Sequence, residues 1–271
     1  MNSVWPGTLA IILYLITSAA LTLRLTKGKD AVSLTRGTVL SLGLAAVALH
    51  AATLYPDMIT ASGLNLGFFN AASLIALLSV LLLLLASFKQ PMENLGIPVL
   101  PIAAATVGLA ILFRGEAHSI SSGSWKLDMH ILFSVLAYSV LALAAVQAAL
   151  LAIQETHLRN RRPGGFIRAL PPMQVMEQLL FQMIGSGFAL LSAALLTGIF
   201  FLEDIFAQHL VHKTILSIIA WLVFGILLWG RWRHGWRGRT AIRWSLTGFI
   251  VLLLAYFGSK FVLELVLQRT V

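Results

Sequence analysis

The sequence predicts an all-α polytopic membrane protein with eight transmembrane helices and both termini outside, and three observations predict it. Hydrophobic residues make up 59% of the 271 and charged residues only 11%, against about 25% charged in soluble domains. The apolar residues form continuous runs with no alternation, which suits helices and not barrel strands, the two structures that satisfy every backbone polar group in lipid. The cations, finally, collect at every second gap between runs, as the positive-inside rule describes.

The first run, Val4–Leu23, has no cation before Arg24. It lacks the basic n-region of a cleavable signal peptide and is expected to stay as a helix. Val39–Leu54 is short of the about 20 residues that a crossing needs, so its helix is expected to begin earlier, near Leu34. Leu66–Phe88, Leu95–Phe113 and Met129–Ile153 are long enough as they stand. The loop "HLRNRRPGGFIRALPP" is punctuated by Pro163, Gly164, Gly165, Pro171 and Pro172. After it, the amphipathic "MQVMEQLLFQMI" is expected to start at the interface before Leu179–Leu202 crosses. Ile215–Trp229 and Trp244–Leu267 complete the eight. There is no internal repeat and no soluble segment beyond loop length, so residues 1–271 are expected to form a single membrane domain.

Fourteen of the 19 Lys and Arg follow the first, third, fifth and seventh runs, with Arg24, Arg36, Arg159, Arg168, Arg231 and Arg243 among them. That side is expected to be cytoplasmic. The formal net charge of +9 is mostly this bias, so the expected partner of the Arg-rich loops is anionic lipid and not nucleic acid. Cysteine is absent, which excludes disulfides, thiolate metal sites and thioether-linked haem. Any cofactor must be held by His, Met, carboxylate or packing.

Of seven histidines, His157 and His234 fall in the basic loops, and His50, His118, His130, His209 and His212 fall on the other side. His118 reads as loop. His209, three residues before His212, shares its helix face only if that helix extends back. His50, His130 and His212 differ because apolar helix flanks each, and a polar group there needs a partner. An even number of crossings separates any two of them, so their common side survives a flip of the whole topology. Two such imidazoles on different helices can clamp one metal, and haem iron takes such axial ligands among apolar side chains. Lys260 lies inside the last run with Glu264 four residues on; it either pairs with that carboxylate or meets an anionic group such as a haem propionate.

Several stretches together resemble one family. "GSWKLDMHILFSVLAYSVLALAAVQAALL" is similar to a segment in which an outer-side histidine opens a helix. "GFALLSAALLTGIF", "HKTILSIIAWLVFGILLWGRWRHGWRGRTAIRW" with its "GWRGR" loop, and "GFIVLLLAYFGSKFVLE" resemble the later helices of the same family. These are the cytochrome c assembly proteins, haem-handling membrane proteins of CcsA/CcmC type, and the resemblance is closest to their YpjD/HemX branch. It implies that His130 is the external haem ligand and that the cofactor is noncovalent haem b. The family's tryptophan-rich "WGxxWxWD" stretch, which presents haem to apocytochrome, is replaced by "FLEDIFAQHLVH", whose aromatics are Phe201 and Phe206. The histidine after the last helix and the intramembrane histidine near Trp229 are missing too. His212 then becomes the candidate to face His130, with His50 in reserve.

The expected function is accessory haem handling related to cytochrome c biogenesis in a bacterial inner membrane, without catalysis, alongside other cytochrome maturation or haem-synthesis proteins. The alternative is a regulatory or scaffolding membrane protein linked to tetrapyrrole metabolism. A cation transporter is disfavoured by the scarcity of carboxylates along the runs.

Overall fold

The computed structural model describes residues 4–28, 35–60, 63–113, 119–120, 125–160, 169–201 and 211–262. Among them, eight helices are long and apolar enough to cross a membrane. They are α1 (Val4–Lys27), α2 (Arg36–Met58), α3 (Phe68–Ser87), α4 (Gly96–Leu112, entered through a 3-10 turn at Glu93–Leu95), α5 (Trp125–Arg159), α6 (Met173–Phe201), α7 (Val211–His234) and α8 (Gly238–Leu253). The last continues as a π-helical segment at Leu254–Gly258.

Hydropathy located these helices, and local chemistry sets their ends. α2 starts where the Thr35 hydroxyl accepts the Thr38 backbone N–H at 3.2 Å, an N-cap that satisfies one of the orphan donors of a helix start. α7 ends where Gly235, at φ 66°, lets its own N–H reach the Arg231 carbonyl and the Trp236 N–H reach the Gly230 carbonyl. The first of these bonds is the αL type of helix end, and the left-handed residue in it favours glycine. The segment from Met173 is continuous with α6, so the expected interfacial start is the first part of one 29-residue helix. α5 has 35 residues, a rise of about 52 Å at 1.5 Å per residue, so it overshoots the hydrocarbon core by several turns. Three short strands, β1 (Ile59–Thr60), β2 (Gly63–Asn65) and β3 (Ser119–Ile120), pair antiparallel in that order. They are too short for a hydropathy pattern to reveal.

The chain divides into two compact units, Met1–Ile120 with His157–Pro171, and Ser121–Thr156 with Pro172–Val271. In the first, α1 packs on α2 and α4, and α3 packs on the same two helices. Hydroxyls inside it bond back to their own helix: Thr17 to the Leu13 carbonyl, Thr53 to Leu49, Ser79 to Ile75 and Ser87 to Leu83. Each such bond hides a polar group that lipid would leave unsatisfied.

In the second unit, α5 meets α6 through the buried Gln147 amide, which donates to the Met176 carbonyl at 2.8 Å. α6 meets α7 through Phe188 stacked on Trp221, whose indole N–H donates to Ser192 at 2.8 Å. α7 meets α8 where Phe224 lies against Gly248. At the other end of α7, Arg231 reaches the buried Glu177 of α6 at 3.1 Å and the Trp236 carbonyl at 3.1 Å, with its guanidinium 4.6 Å from the Phe181 ring centre. Small residues let these helices approach closely, and buried polar groups find partners across the gaps.

Candidate functional site

His130 sits in the second turn of α5, half-buried against α6. Its Nδ1 lies 2.9 Å from the Ala194 carbonyl oxygen, and a carbonyl can only accept, so Nδ1 carries the proton and donates. In the neutral ring the lone pair is then on Nε2. Thr197 brings its hydroxyl to 3.4 Å of the same Nδ1. Gly198, one turn beyond Ala194, offers no side chain, and the ring rests against its bare Cα: a Cβ there would be 3.1 Å from Cε1 of His130. Trp125 and Phe201 meet edge-on at 5.5 Å at the same ends of α5 and α6. Asp128, in the first turn of α5, has a buried Oδ1 with no hydrogen-bond partner among the described residues.

The other expected site residues are placed differently. His212 is the second residue of α7 and is exposed. Lys260 holds its Nζ 5.6 Å from the Tyr256 ring centre; Glu264, its expected partner, lies outside the described residues, as do His118 and His209. His234 packs edge-on against Trp229 at 5.1 Å.

His50, in the first unit, is 1% exposed. Both of its ring nitrogens are engaged, Nδ1 with the Tyr14 hydroxyl at 3.1 Å and Nε2 with the Ser73 hydroxyl at 2.8 Å. It ties α1, α2 and α3 together beside a small cavity lined by Thr53, Asp57, Val107 and Ile111. Metal ligation at His50 would require one of those bonds to break, whereas at His130 it requires none.

Ala194, Thr197 and Gly198 were not singled out from the sequence. The signal that could have found them is their spacing: within "ALLTGIF" they fall on one turn, on a helix rich in small residues of the kind that lets neighbouring helices approach. Tyr14 and Ser73 carried no such signal.

Among the described residues no group of three or more His, Cys, Asp or Glu side chains could hold a bare metal ion. A single imidazole with its second nitrogen tied to a backbone carbonyl is an arrangement suited to ligating haem iron, since backbone or carboxylate acceptors fix the tautomer and orientation of ligating histidines. The residues at His130 therefore fit such a cofactor.

Comparison with known proteins bears on the family. The inner membrane protein YpjD of Escherichia coli is 33% identical over 232 residues, covering 84% of this chain and 85% of that protein. Protein HemX of Brevibacillus brevis is 23% identical over 145 residues, 53% of each chain. The cytochrome c biogenesis protein CcsA of Prochlorococcus marinus is 24% identical over 210 residues, 66% of each. No solved structure matches the chain. With eight apolar helices and kinship to an inner membrane protein, the chain is a multi-pass protein of the bacterial inner membrane. The match to the cytochrome C assembly protein family spans residues 38–267, all but the first helix and the last few residues, and the chain belongs to that family.

Proposed function

We propose that this protein binds noncovalent haem b in the membrane and handles it in support of cytochrome c biogenesis, without attaching it to apocytochrome. Family membership supports the biogenesis-related role. The single observation that carries the haem reading is the hydrogen bond from His130 Nδ1 to the Ala194 carbonyl, which leaves Nε2 as a bare, oriented donor. Haem, when bound, would bring iron already held by its own ring, so the protein would need to add only side-chain ligands. His130 would be the first of these. His212, exposed at the start of α7 in the same unit, is the candidate second. Lys260, beside Tyr256, is the candidate partner of a propionate.

The side bearing His130 and His212 is the outer one in this reading, with the Arg-rich connections facing the cytoplasm. There the exposed Arg233, Arg237 and Arg243 meet anionic lipid and other maturation or haem-synthesis proteins. No catalytic step is assigned to the chain. Where the haem-presenting stretch of the family stands, residues 201–212 hold no tryptophan, and this supports handling over attachment.

Expression in a haem-replete host tests the reading. The purified protein should show a b-type spectrum with a Soret band, lost or strongly weakened in His130→Ala and retained in His157→Ala and His234→Ala. A wild-type spectrum in His130→Ala refutes the ligand assignment. No Soret band in the wild-type protein refutes haem binding and favours a regulatory or scaffolding role in tetrapyrrole metabolism.

A further inference from the structure

The His130 ring occupies the space that a side chain at position 198 would fill. A Cβ on Gly198 would stand 3.1 Å from Cε1 and 3.4 Å from Nδ1 of His130. Gly198 and Ala194 are four residues apart, so they share one face of α6 a single turn apart. The ring spans both, bonded to the carbonyl of the first and seated on the bare Cα of the second. Elsewhere in this bundle the tight glycines accommodate hydrocarbon: Gly187 faces Leu141 and Gly248 faces Phe224. Gly198 alone among these three admits a titratable, metal-ligating ring.

We propose that Gly198 is a positioning residue for His130: its missing side chain lets the imidazole approach α6 closely enough to donate Nδ1–H to the Ala194 carbonyl, which selects the tautomer with a bare Nε2. The consequence for haem rests on His130 being the ligand, as proposed above; the tautomer selection itself does not. A methyl group at 198 leaves the ring short of the about 3.5 Å optimum for carbon contacts, so the ring must back away by a few tenths of an ångström. That carries the 2.9 Å N···O separation to the long end of the hydrogen-bond range, about 3.2 Å. The branched side chain of valine displaces the ring further and breaks the bond. Alanine has the higher helix propensity, so an effect of Gly198→Ala at His130 is not the result of a weakened α6.

The experiment uses the full-length protein, labelled with 15N-histidine, free of haem and reconstituted in lipid bilayers, read by solid-state NMR. The His130 signals are those missing from His130→Ala. Wild type should show a protonated Nδ1 and an unprotonated Nε2. Gly198→Ala should move the tautomer ratio toward Nε2–H by about fivefold, the worth of one neutral hydrogen bond, and Gly198→Val should move it further. A wild-type tautomer ratio in Gly198→Ala overturns the proposal, and this variant decides the matter if Gly198→Val fails to fold. In haem-loaded protein, Gly198→Ala should lower the iron–histidine stretching frequency and weaken haem affinity by roughly tenfold, as loss of a partner to a ligating histidine does. A haem spectrum that survives His130→Ala would overturn the assignment of His130 as ligand and leave the tautomer result standing, so the two failures are distinguishable.

Discussion

Replacing Gly230 with alanine tests how the "GWRGR" corner between α7 and α8 is held. A Cβ at Gly230 would lie 2.4, 2.5 and 2.8 Å from Cε3, Cδ2 and Cζ3 of Trp236. Carbon atoms prefer about 3.5–4.0 Å, so the overlap is roughly an ångström against the flat of a rigid ring, and the indole has to leave. Leaving strains more than one contact. The Trp236 N–H donates to the Gly230 carbonyl, the Trp236 carbonyl accepts from Arg231, and the ring packs against Trp244 at 5.5 Å.

Overpacking of this kind costs about 1–3 kcal/mol. Trp236→Ala alone should cost about 2–3 kcal/mol, below the about 3–5 kcal/mol of a fully buried aromatic, because the side chain is half-buried. In the double variant the methyl enters space that the indole has vacated, so its penalty should vanish. The double variant should then match Trp236→Ala to within about 0.5 kcal/mol and be less destabilised than the sum of the singles by about 1–3 kcal/mol. The assay is denaturant titration in detergent micelles followed by far-ultraviolet circular dichroism, which does not depend on the tryptophan removed. Additivity of the two substitutions to within about 0.5 kcal/mol would refute the reasoning, for it would mean that the methyl and the indole do not compete for one space.

Three further outcomes are expected. Tyr138→Phe removes the hydroxyl that donates to the Leu252 carbonyl at 2.5 Å, beside the π-helical segment; it should cost about 1–3 kcal/mol if the buried carbonyl stays unsatisfied and should speed amide exchange at Tyr256 and Phe257, and unchanged exchange would show that the segment does not depend on this bond. Reporter fusions after Arg162 and Arg239 should both report a cytoplasmic location; external activity from both would invert the topology, and disagreement between them would refute eight crossings. A strain lacking its cytochrome c synthetase and supplied with this protein alone should make no covalent cytochrome c, and haem-stained cytochrome would overturn handling without attachment.

What was legible in the sequence follows from the solvent the chain lives in. Lipid demands about 20 apolar residues per crossing and leaves the charges to the loops, so eight helices could be read from composition along the chain. The resemblance carried by the stretches around His130 and the "GWRGR" loop likewise pointed to the family, because those motifs are local. Helix ends were less legible: α8 begins at Gly238, six residues before the apolar run, because its first turns are amphipathic and count against a hydropathy window.

The fate of each histidine was decided only by tertiary structure. His50 and His130 look alike in sequence, each a lone imidazole in apolar helix. One is consumed by hydroxyls 36 and 23 residues away, Tyr14 and Ser73, and the other keeps a nitrogen bare because its partner, 64 residues away, is a carbonyl that can only accept. Whether a ring nitrogen is spent or spare depends on which groups the neighbouring helices bring to it, and on whether a glycine stands where a side chain would block the approach. Helix periodicity sets which face a residue occupies, but the facing residue belongs to another helix at a register that local sequence does not encode.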